Sequence, residues 1–309
     1  MQLANLRRGD ALVPATIIEG KVYELRLALD AVAADDALYG GGPAILFDLA
    51  IASGLPEMAE QLRDARGALR EHGLDELGPP VVRPNKVIGV GRNYASHARE
   101  LGHEIPKQPI LFAKFASAIV GPRDDIVRPS GVTDLDYEGE LCVIIGRGGR
   151  HIPREQALDY VAGYCCANDV SARTAQLHSG DQWLRGKSFD TFCPLGPALV
   201  TRDEVPDPQA LGIRTWVDGE LRQDDSTANM IFDVATLISY ASDAFTLEPG
   251  NIILTGTPPG VGMGMTPPGW LQPGQLCEIE IDGLGRIANR IVEEPIEAIP
   301  DPAATLTER

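Results

Sequence analysis

The sequence predicts an α+β protein in which β-strands predominate. Short apolar runs bounded by glycine or proline recur along the chain, and this pattern is typical of buried strands. The clearest of these runs lie at about residues 86–91, 109–115, 141–145, 160–168 and 251–255. Residues 12–29 alternate in character around Glu19-Gly20, which predicts a hairpin with glycine at its turn. Two more strands, at about 276–281 and 286–292, are expected to pair across a glycine-containing turn.

Helical periodicity is restricted to a few segments. Residues 228–244 carry apolar side chains at spacings of three and four, which predicts an amphipathic core helix. Alanine- and leucine-rich segments at about 44–53 and 56–71 are interpreted as helices that end at Gly54 and Gly73. Together with the N-terminal hairpin, these two segments indicate a small α+β unit.

A boundary rich in proline separates that unit from the rest of the 309-residue chain. Residues 78–80 are Gly-Pro-Pro, and Pro84 follows shortly after them. A chain of this length is long enough for one large domain and a smaller one. We therefore predict a small N-terminal α+β domain over residues 1–80 and a larger domain, with the candidate functional residues, over residues 84–309.

Charge and composition limit the kinds of partner that the protein can have. The chain has 27 basic and 44 acidic residues, a net charge of −17, and 44% hydrophobic residues. This acidic balance argues against nucleic-acid or anionic-membrane partners, because both require basic patches. It does not argue against a small anionic substrate, since a bound metal ion can dominate the charge of its own site.

The cysteines and the lengths of the apolar runs predict a cytoplasmic protein. The cysteines lie mostly in apolar surroundings without metal-ligand spacing, as expected of buried thiols in a reducing compartment. They are Cys142, Cys165, Cys166, Cys193 and Cys277. The first ten residues lack the apolar core of a signal sequence, and no stretch approaches ~18 uninterrupted apolar residues.

Three acidic residues border the most apolar strands. Glu138 and Glu140 precede the run at 141–145, and side chains two residues apart on a strand point the same way. Asp169 ends the run at 160–168. Three carboxylates without a nearby His or Cys form a hard oxygen site that suits Mg²⁺, Mn²⁺ or Ca²⁺. The alternatives are a solvated strand face for the two glutamates and a helix N-cap for Asp169.

His97 and Glu100 follow the strand at 86–91 and are three residues apart. On a helical turn that spacing brings the two side chains together. A carboxylate beside an imidazole fixes its tautomer and raises its basicity, as a general base requires. The alternative is a surface ion pair. Because Gly102 and Pro106 follow closely after this stretch, the sequence also predicts a short helix on a mobile loop.

Two later segments carry polar groups in predicted loops. Lys187 lies in a polar stretch, where a solvated side chain is the simplest interpretation. Residues 256–262 are Gly-Thr-Pro-Pro-Gly-Val-Gly and come directly after the strand at 251–255. The glycines allow backbone N–H groups to approach a ligand, and Thr257 offers a hydroxyl donor. The alternative for this segment is a turn-rich loop without a ligand.

Six motifs, in this order, resemble those of the fumarylacetoacetate hydrolase superfamily over about residues 84–292. They are residues 91–100 (GRNYASHARE), 136–141 (DYEGEL), 167–176 (ANDVSARTAQ), 186–191 (GKSFDT), 193–197 (CPLGP) and 254–258 (LTGTP). The resemblance implies a mixed β-roll catalytic domain, a variable N-terminal unit and a homodimer.

The resemblance also implies roles for particular residues. A Mg²⁺ or Mn²⁺ ion would be held by Glu138, Glu140 and Asp169. His97 and Glu100 would form a water-activating dyad on a lid, with Lys187 as a third catalytic residue. The residues implied to contact substrate are Arg92, Tyr94, Gln176, Gly256 and Thr257.

The chemistry implied is the formation of a metal-bound enolate from a small anionic 2-oxo acid. If C4 is also a carbonyl, attack by water breaks the C3–C4 bond, so we expect first a hydrolase of acylpyruvate- or fumarylpyruvate-type 2,4-dioxo acids. The alternative is an isomerase or decarboxylase of unsaturated 2-oxo diacids from aromatic catabolism. A non-catalytic metal-binding or scaffold protein is the remaining hypothesis. It predicts loss of a ligand or of the dyad, and the sequence retains both.

Overall fold

The computed structural model describes residues 2–9, 11–24, 71–178, 180 and 182–295 of the chain. These residues form nineteen strands, four α-helices and several short 3-10 helices. The strands are β1 (Gln2–Arg8), β2 (Ala11–Ile18), β3 (Lys21–Glu24), β4 (Glu71–His72), β5 (Leu77–Gly78), β6 (Val87–Gly91), β7 (Ile110–Lys114), β8 (Ile119–Val120), β9 (Ile126–Arg128), β10 (Leu135–Asp136), β11 (Gly139–Ile145), β12 (Val161–Asn168), β13 (Ser171–Ala172), β14 (Cys193–Thr201), β15 (Gly212–Val217), β16 (Glu220–Ser226), β17 (Ile252–Leu254), β18 (Leu276–Ile281) and β19 (Gly285–Glu293). The α-helices are α1 (Ala95–Glu100), α2 (Arg173–Leu177), α3 (Leu184–Lys187) and α4 (Val234–Ala244).

Two mixed sheets and one short strand pair contain these strands. In the described part of the chain the larger sheet has twelve strands, with the main order β4-β3-β2-β1-β14-β12-β11-β17-β6-β7, and with β5 beside β1 and β8 beside β14. The second sheet has the order β16-β15-β18-β19-β9, and β10 pairs with β13. Most pairs are antiparallel, whereas β6 with β17, β8 with β14 and β9 with β19 are parallel. The predicted α+β class with predominant strands is therefore confirmed.

Most of the predicted strands form, and one predicted helix is shorter than the segment, residues 228–244, whose apolar spacing predicted it. β2 and β3 make the N-terminal hairpin about Glu19-Gly20, and β18 pairs with β19 as expected. Residues 227–229 form a 3-10 helix, and α4 begins only after Asp233. The Asp233 carboxylate accepts a hydrogen bond from the Thr236 N–H at 2.7 Å, and this cap fixes the start of the helix.

Other predicted helices fall on residues that are not described. The segments at 44–53 and 56–71 lie outside the described residues, apart from Glu71, which starts β4. Within the described ranges α4 is the longest α-helix, with eleven residues. No helix there has the length and apolar character needed to cross a membrane.

The N-terminal strands belong to the same sheet as the rest of the chain. β1 pairs antiparallel with β14, with Leu3 opposite Leu199, and it also pairs with β5. Leu6 and Ala198 share one apolar cluster across this junction. One continuous sheet therefore contains strands from both sides of the boundary predicted near residue 80. The division into two domains stays a prediction.

The centre of the large sheet is buried on both faces. Every residue of β11 and β12 is buried, which explains why residues 141–145 and 161–167 are continuously non-polar rather than alternating. Along β11, Cys142 and Ile144 pack into one apolar cluster, whereas Leu141 and Val143 pack into another. All five cysteines are buried free thiols, as predicted.

Strand pairing brings the candidate functional segments to one end of this sheet. Gly139 at the start of β11 opposes Asn168 at the end of β12, so Glu138 and Asp169 are the next residues on the two strands. The Asp169 N–H donates to the Glu138 carbonyl at 2.9 Å. On the other side of β11, β17 pairs antiparallel with it and parallel with β6. The loop after β17 and helix α1 after β6 therefore start at this same end.

A substitution at Ile144 tests the double-sided burial of β11. The Ile144 side chain is fully buried, so Ile144→Ala removes its packing contacts and leaves a cavity. We expect the free energy of unfolding to fall by about 2–5 kcal/mol. The control is Leu221→Ala on β16, where Leu221 is 48% exposed and the expected change is about 0.5 kcal/mol or less. Urea unfolding measures both variants, and equal losses would contradict the assigned core.

Candidate metal centre and adjoining cleft

Three buried carboxylates form a cluster at this end of the sheet. Glu138, Glu140 and Asp169 each offer one oxygen, and these oxygens all lie within 4.8 Å of one another. Glu140 lies on β11, Glu138 directly precedes that strand, and Asp169 directly follows β12. The predicted common orientation of the two glutamates is therefore present. A solvated strand face, the alternative interpretation, is wrong because all three side chains are buried.

Asp169 does not cap a helix. The chain passes through β13 before α2 begins at Arg173, and Ala172 occupies the N-cap position. The Asp169 carboxylate instead accepts hydrogen bonds from Lys114 Nζ at 2.5 Å and from Lys187 Nζ at 2.7 Å. The N-cap interpretation is therefore wrong, because two residues of β-structure separate this aspartate from the helix.

Lys187 is buried between two carboxylates rather than solvated in a loop. It ends α3 and is 1% exposed, and its Nζ lies 2.8 Å from Glu138 Oε2 and 2.7 Å from Asp169 Oδ2. Burial opposes its charged form, but the charges of Asp169 and Glu138 raise the pKa of Lys187 above its usual value. Gly186 allows this arrangement, because a Cβ there would overlap the backbone of Gln176. Lys187 is therefore a fixed cation.

Two further cations compensate the carboxylates, and neither was predicted from the sequence. Lys114 ends β7 and is buried, with its ammonium on Asp169. Arg173 is also buried, with NH1 2.6 Å from Glu138 Oε1 and NH2 2.7 Å from Asp136 Oδ2. The available signals were a lysine within the apolar run at 109–115 and an arginine within a family motif. Neither signal identifies the acidic partner.

The charges of these residues leave one carboxylate poorly compensated. Burial opposes ionisation of Glu138, but Lys187 and Arg173 hold the pKa of this carboxyl well below its usual range. Glu140 accepts a hydrogen bond from the Gly256 N–H at 2.7 Å and, among the described residues, pairs with no cation. Burial, Asp169 and Glu138 raise the pKa of Glu140 well above its usual range. Glu140 is thus the carboxylate that needs an additional positive charge.

The donor set fits a divalent cation. Carboxylate oxygens are hard ligands of the kind that Mg²⁺ and Mn²⁺ prefer. Counting Asp136, four buried acids face three buried cations, which leaves one negative charge uncompensated. A divalent ion would change the net charge of the cluster from negative to positive. The cluster could then attract an anionic substrate.

An open cleft of about 420 Å³ adjoins the carboxylate cluster. Apolar, aromatic and charged side chains share its wall. The lining residues are Val90, Gly91, Arg92, His97, Leu101, His103, Phe112, Glu138, Arg173, Gln176, Leu177, Trp183, Lys187, Thr257 and Met263. Arg92, Gln176 and Thr257 were predicted to contact substrate, and all three lie in this wall.

Two other predicted substrate contacts are placed differently. Tyr94 is 0% exposed, so protein encloses it, and burial raises the pKa of its hydroxyl well above the usual value. Gly256 directs its N–H to Glu140. Its φ of 96° favours glycine, and a Cβ there would also crowd Asn93. Gly256 therefore supports a carboxylate of the cluster.

The Thr257 side chain is already engaged within the protein. Its hydroxyl donates to the Gly139 carbonyl at 2.9 Å and accepts from Gln223 Nε2 at 2.8 Å. The hydroxyl hydrogen predicted to donate to a ligand is therefore committed to β11. Gln223 was not singled out from the sequence, because it lies on β16 and contacts this loop only in the folded chain.

His97 and Glu100 lie together on α1, as their spacing predicted. His97 Nδ1 is 3.4 Å from Glu100 Oε2, and the pair does not have the geometry of a hydrogen bond. His97 is buried and lines the cleft, so a surface ion pair is the wrong interpretation for it. Glu100 also accepts a hydrogen bond from the Gly260 N–H at 3.0 Å. The dyad thus links α1 to the loop that follows β17.

Comparisons with known proteins agree with these motifs. Residues 86–292 match the family described as fumarylacetoacetate (FAA) hydrolase C-terminal. An oxaloacetate tautomerase from Rattus norvegicus, Fahd2a, is 51% identical over 213 residues, which cover 69% of this chain and 68% of that protein. A putative hydrolase from Burkholderia multivorans is 48% identical over 243 residues, covering 75% of this chain and 86% of that protein.

Solved structures show the same fold. A fumarylacetoacetate hydrolase from Exiguobacterium antarcticum has a TM-score of 0.77 and 35% identity, and the match covers 95% of this chain and 100% of that one. A maleylpyruvate hydrolase from Sphingobium sp. SYK-6, in complex with manganese(II) and pyruvate, has a TM-score of 0.73 and 32% identity over 95% of this chain and 99% of that one. The predicted superfamily fold is confirmed, and the chain belongs to the fumarylacetoacetate hydrolase family.

Proposed function

We propose that this protein is a divalent-metal-dependent enzyme that moves a proton at C3 of a small 2-oxo acid, interconverting its keto and enol forms. The observation that carries the proposal is the position of His97. This imidazole lines the same cleft as Glu138 and Lys187. A candidate base therefore lines the cleft beside the carboxylate cluster, where a bound cation would stabilise an enolate.

The carboxylate cluster supplies the electrostatic part of the proposed reaction. A Mg²⁺ or Mn²⁺ ion held by Glu138, Glu140 and Asp169 would stabilise negative charge on the enolate oxygen of the substrate. Lys187, fixed between Glu138 and Asp169, adds an ammonium group that cannot move away from the cleft. Gln176 Oε1 accepts from Arg173 at 3.0 Å, which leaves the Gln176 amide N–H groups to hold the substrate carboxylate.

His97 carries the proton in this proposal. Its Nδ1 faces Glu100, so Nε2 is the nitrogen that remains for the substrate. Nε2 accepts the proton from C3 and delivers it to the C2 oxygen, which gives the enol, and the reverse transfers give the keto form. The Glu100 carboxylate stabilises the imidazolium between the two transfers. The Glu100 contact with Gly260 holds this carboxylate in place.

Proton transfer is proposed ahead of hydrolysis for two reasons. It requires only a cation held beside the cleft and one base on the wall of the cleft, and Glu138 and His97 both line that wall. Several relatives that are 51–53% identical to this chain are also named oxaloacetate tautomerases. The expected small anionic 2-oxo acid remains the proposed substrate class. The homodimer and the cytoplasmic location stay predictions from the sequence.

Hydrolysis of a C–C bond in a 2,4-dioxo acid is the second candidate. The paired His97 and Glu100 favour it, because the same Nε2 can deprotonate a water molecule that attacks C4. A solved relative is named maleylpyruvate hydrolase. Decarboxylation or isomerisation of an unsaturated 2-oxo diacid uses the same cation site without an attacking water.

Rate measurements on matched substrates separate these reactions. Oxaloacetate reports keto–enol conversion and decarboxylation, fumarylpyruvate reports hydrolysis, and 2-hydroxyhepta-2,4-diene-1,7-dioate reports isomerisation. We expect metal-dependent keto–enol conversion to have the largest kcat/KM. A larger kcat/KM for fumarylpyruvate would favour the hydrolase instead, and inactivity on every 2-oxo acid would contradict both candidates.

Glu140→Gln tests the cation site through two effects of opposite sign. The substitution removes a buried charge that its neighbours disfavour, so the metal-free variant is expected to have a higher Tm than the metal-free wild type. The variant should also lose the stabilisation by Mn²⁺, which is about 2.7 kcal/mol for the wild type at 100 times the Kd. Thermal unfolding with and without Mn²⁺ checks both effects.

Glu155→Gln provides the control for Glu140→Gln. Glu155 is exposed on the 3-10 helix at Arg154–Tyr160, so this variant removes the same charge far from the cluster. It should respond to Mn²⁺ as the wild type does. An unchanged Mn²⁺ response in Glu140→Gln would exclude Glu140 as a ligand.

His97→Ala tests the proposed base. We expect kcat to fall by about 10²- to 10⁴-fold while the Mn²⁺ response of the Tm is retained, since His97 is not a ligand. Glu100→Gln should lower kcat by a smaller factor, because it removes the charge but keeps the shape of the side chain. His151→Ala is the control, since His151 forms a similar pair with Asp243 on the surface. Wild-type turnover by His97→Ala would rule His97 out as the base.

A further inference from the structure

Arg92, which lines the cleft, has an unusual backbone conformation. Its φ is 56°, in the left-handed region that residues with side chains rarely occupy. The next residue, Asn93, holds the chain in place through hydrogen bonds from Nδ2 to the carbonyls of Phe232 (2.9 Å) and Thr255 (2.8 Å). Such strained conformations are concentrated at functional sites. The fold therefore fixes the direction in which the Arg92 side chain leaves the backbone.

An aromatic wall supports the Arg92 side chain. The guanidinium carbon lies 5.5 Å from the centre of the Trp183 ring, in a cation–π arrangement. Trp183 in turn packs edge-on against Phe112, with ring centres 5.5 Å apart. Gly91 permits this stack, because a Cβ there would overlap the Trp183 ring. A cation–π contact does not use the N–H donors of the guanidinium, which remain available to a ligand.

Arg92 differs from the other strong cations of the cleft, because it has no acidic partner among the residues that the structure describes. Arg173 and Lys187 are neutralised by Asp136, Glu138 and Asp169. In the described part of the chain no carboxylate pairs with Arg92. The pKa of Arg92 is lowered by burial, without an opposing contribution from the carboxylate cluster. Among the described residues, the Arg92 charge is thus uncompensated.

His103 lies near Arg92 in the wall of the cleft. Its pKa is lowered first by burial and then by the charges of Arg92 and His97. An anion placed between Arg92 and His103 would relieve this repulsion. This part of the cleft is therefore electrostatically suited to a negative group.

We propose that Arg92, supported by Trp183, binds a second carboxylate of the substrate, at the end that does not reach the cation site. Arg92 is then the residue that selects 2-oxo diacids over 2-oxo monoacids. This inference rests on the proposed function, because it assumes that the first carboxylate and the keto group occupy the cation site. A guanidinium edge and a carboxylate match as two parallel N–H···O bonds, which a methyl group cannot replace.

The alternative is that Arg92 only anchors Trp183. Loss of an anchor would weaken the binding of every ligand in the cleft, whereas loss of a carboxylate-binding group would weaken diacids selectively. The ratio of two dissociation constants therefore separates the two roles. 2-Oxoglutarate and 2-oxopentanoate form a matched pair, since they differ only by a carboxylate or a methyl group at the far end.

The test is isothermal titration of the full chain with each acid in the presence of Mg²⁺. For the wild type we expect 2-oxoglutarate to bind about 10- to 100-fold more tightly than 2-oxopentanoate. Arg92→Asn should bring this ratio close to one, and asparagine tolerates the left-handed backbone. Arg92→Lys, which keeps the charge but loses the planar fork, should give an intermediate ratio. Arg99→Gln, an exposed charge removal on α1, should keep the wild-type ratio.

Three outcomes would overturn the proposal. Equal weakening of both acids in Arg92→Asn would show that Arg92 is an anchor. Equal dissociation constants of the two acids for the wild type would show that the protein does not select diacids, and would leave the proposed function intact. Failure of both acids to bind the wild type with Mg²⁺ would contradict the proposed function and this inference with it.

Discussion

Buried carboxylates can share one pocket only if positive charge offsets their mutual repulsion and their loss of hydration. In this protein the offset comes from Lys114, Lys187 and Arg173, each held against one or two of the acids. The compensation is incomplete at Glu140, whose pKa is raised by burial and by the neighbouring carboxylates. That incomplete balance makes the cluster suitable for a cation and, once the cation is bound, for an anionic substrate.

The fold maintains this balance by placing short segments at one end of a rigid sheet. Pairing of β11 with β12 fixes the carboxylates, and the loop after β17 is held at two points. Glu100 accepts from Gly260, and Asp136 accepts from the backbone N–H groups of Gly262 and Met263. Because Asp136 also binds Arg173, the loop, the cations and α1 form one connected network. Loss of any of these contacts is therefore expected to change the positions of side chains in the cleft.

Sequence alone predicted the parts of this site that depend on local geometry. The spacing of Glu138 and Glu140 sets a common face on a strand, and the spacing of His97 and Glu100 sets a contact on a helix. Prediction from the sequence failed where a contact joins segments that lie far apart along the chain. Lys114 meets Asp169 across 55 residues of sequence, and no periodicity encodes such a contact. Asp169 was compatible with an N-cap, and only the intervening strand β13 excludes that role.

Hydrogen exchange at C3 of pyruvate tests the central claim most directly, because enolate formation is common to every reaction considered. The measurement is NMR detection of deuterium incorporation into pyruvate in D₂O, with the protein and Mg²⁺. The account predicts exchange that is faster than the protein-free rate, that requires the metal ion and that is lost in the His97→Ala variant. Exchange that is no faster than the protein-free rate, in a protein shown to bind Mg²⁺ and pyruvate together, would contradict it.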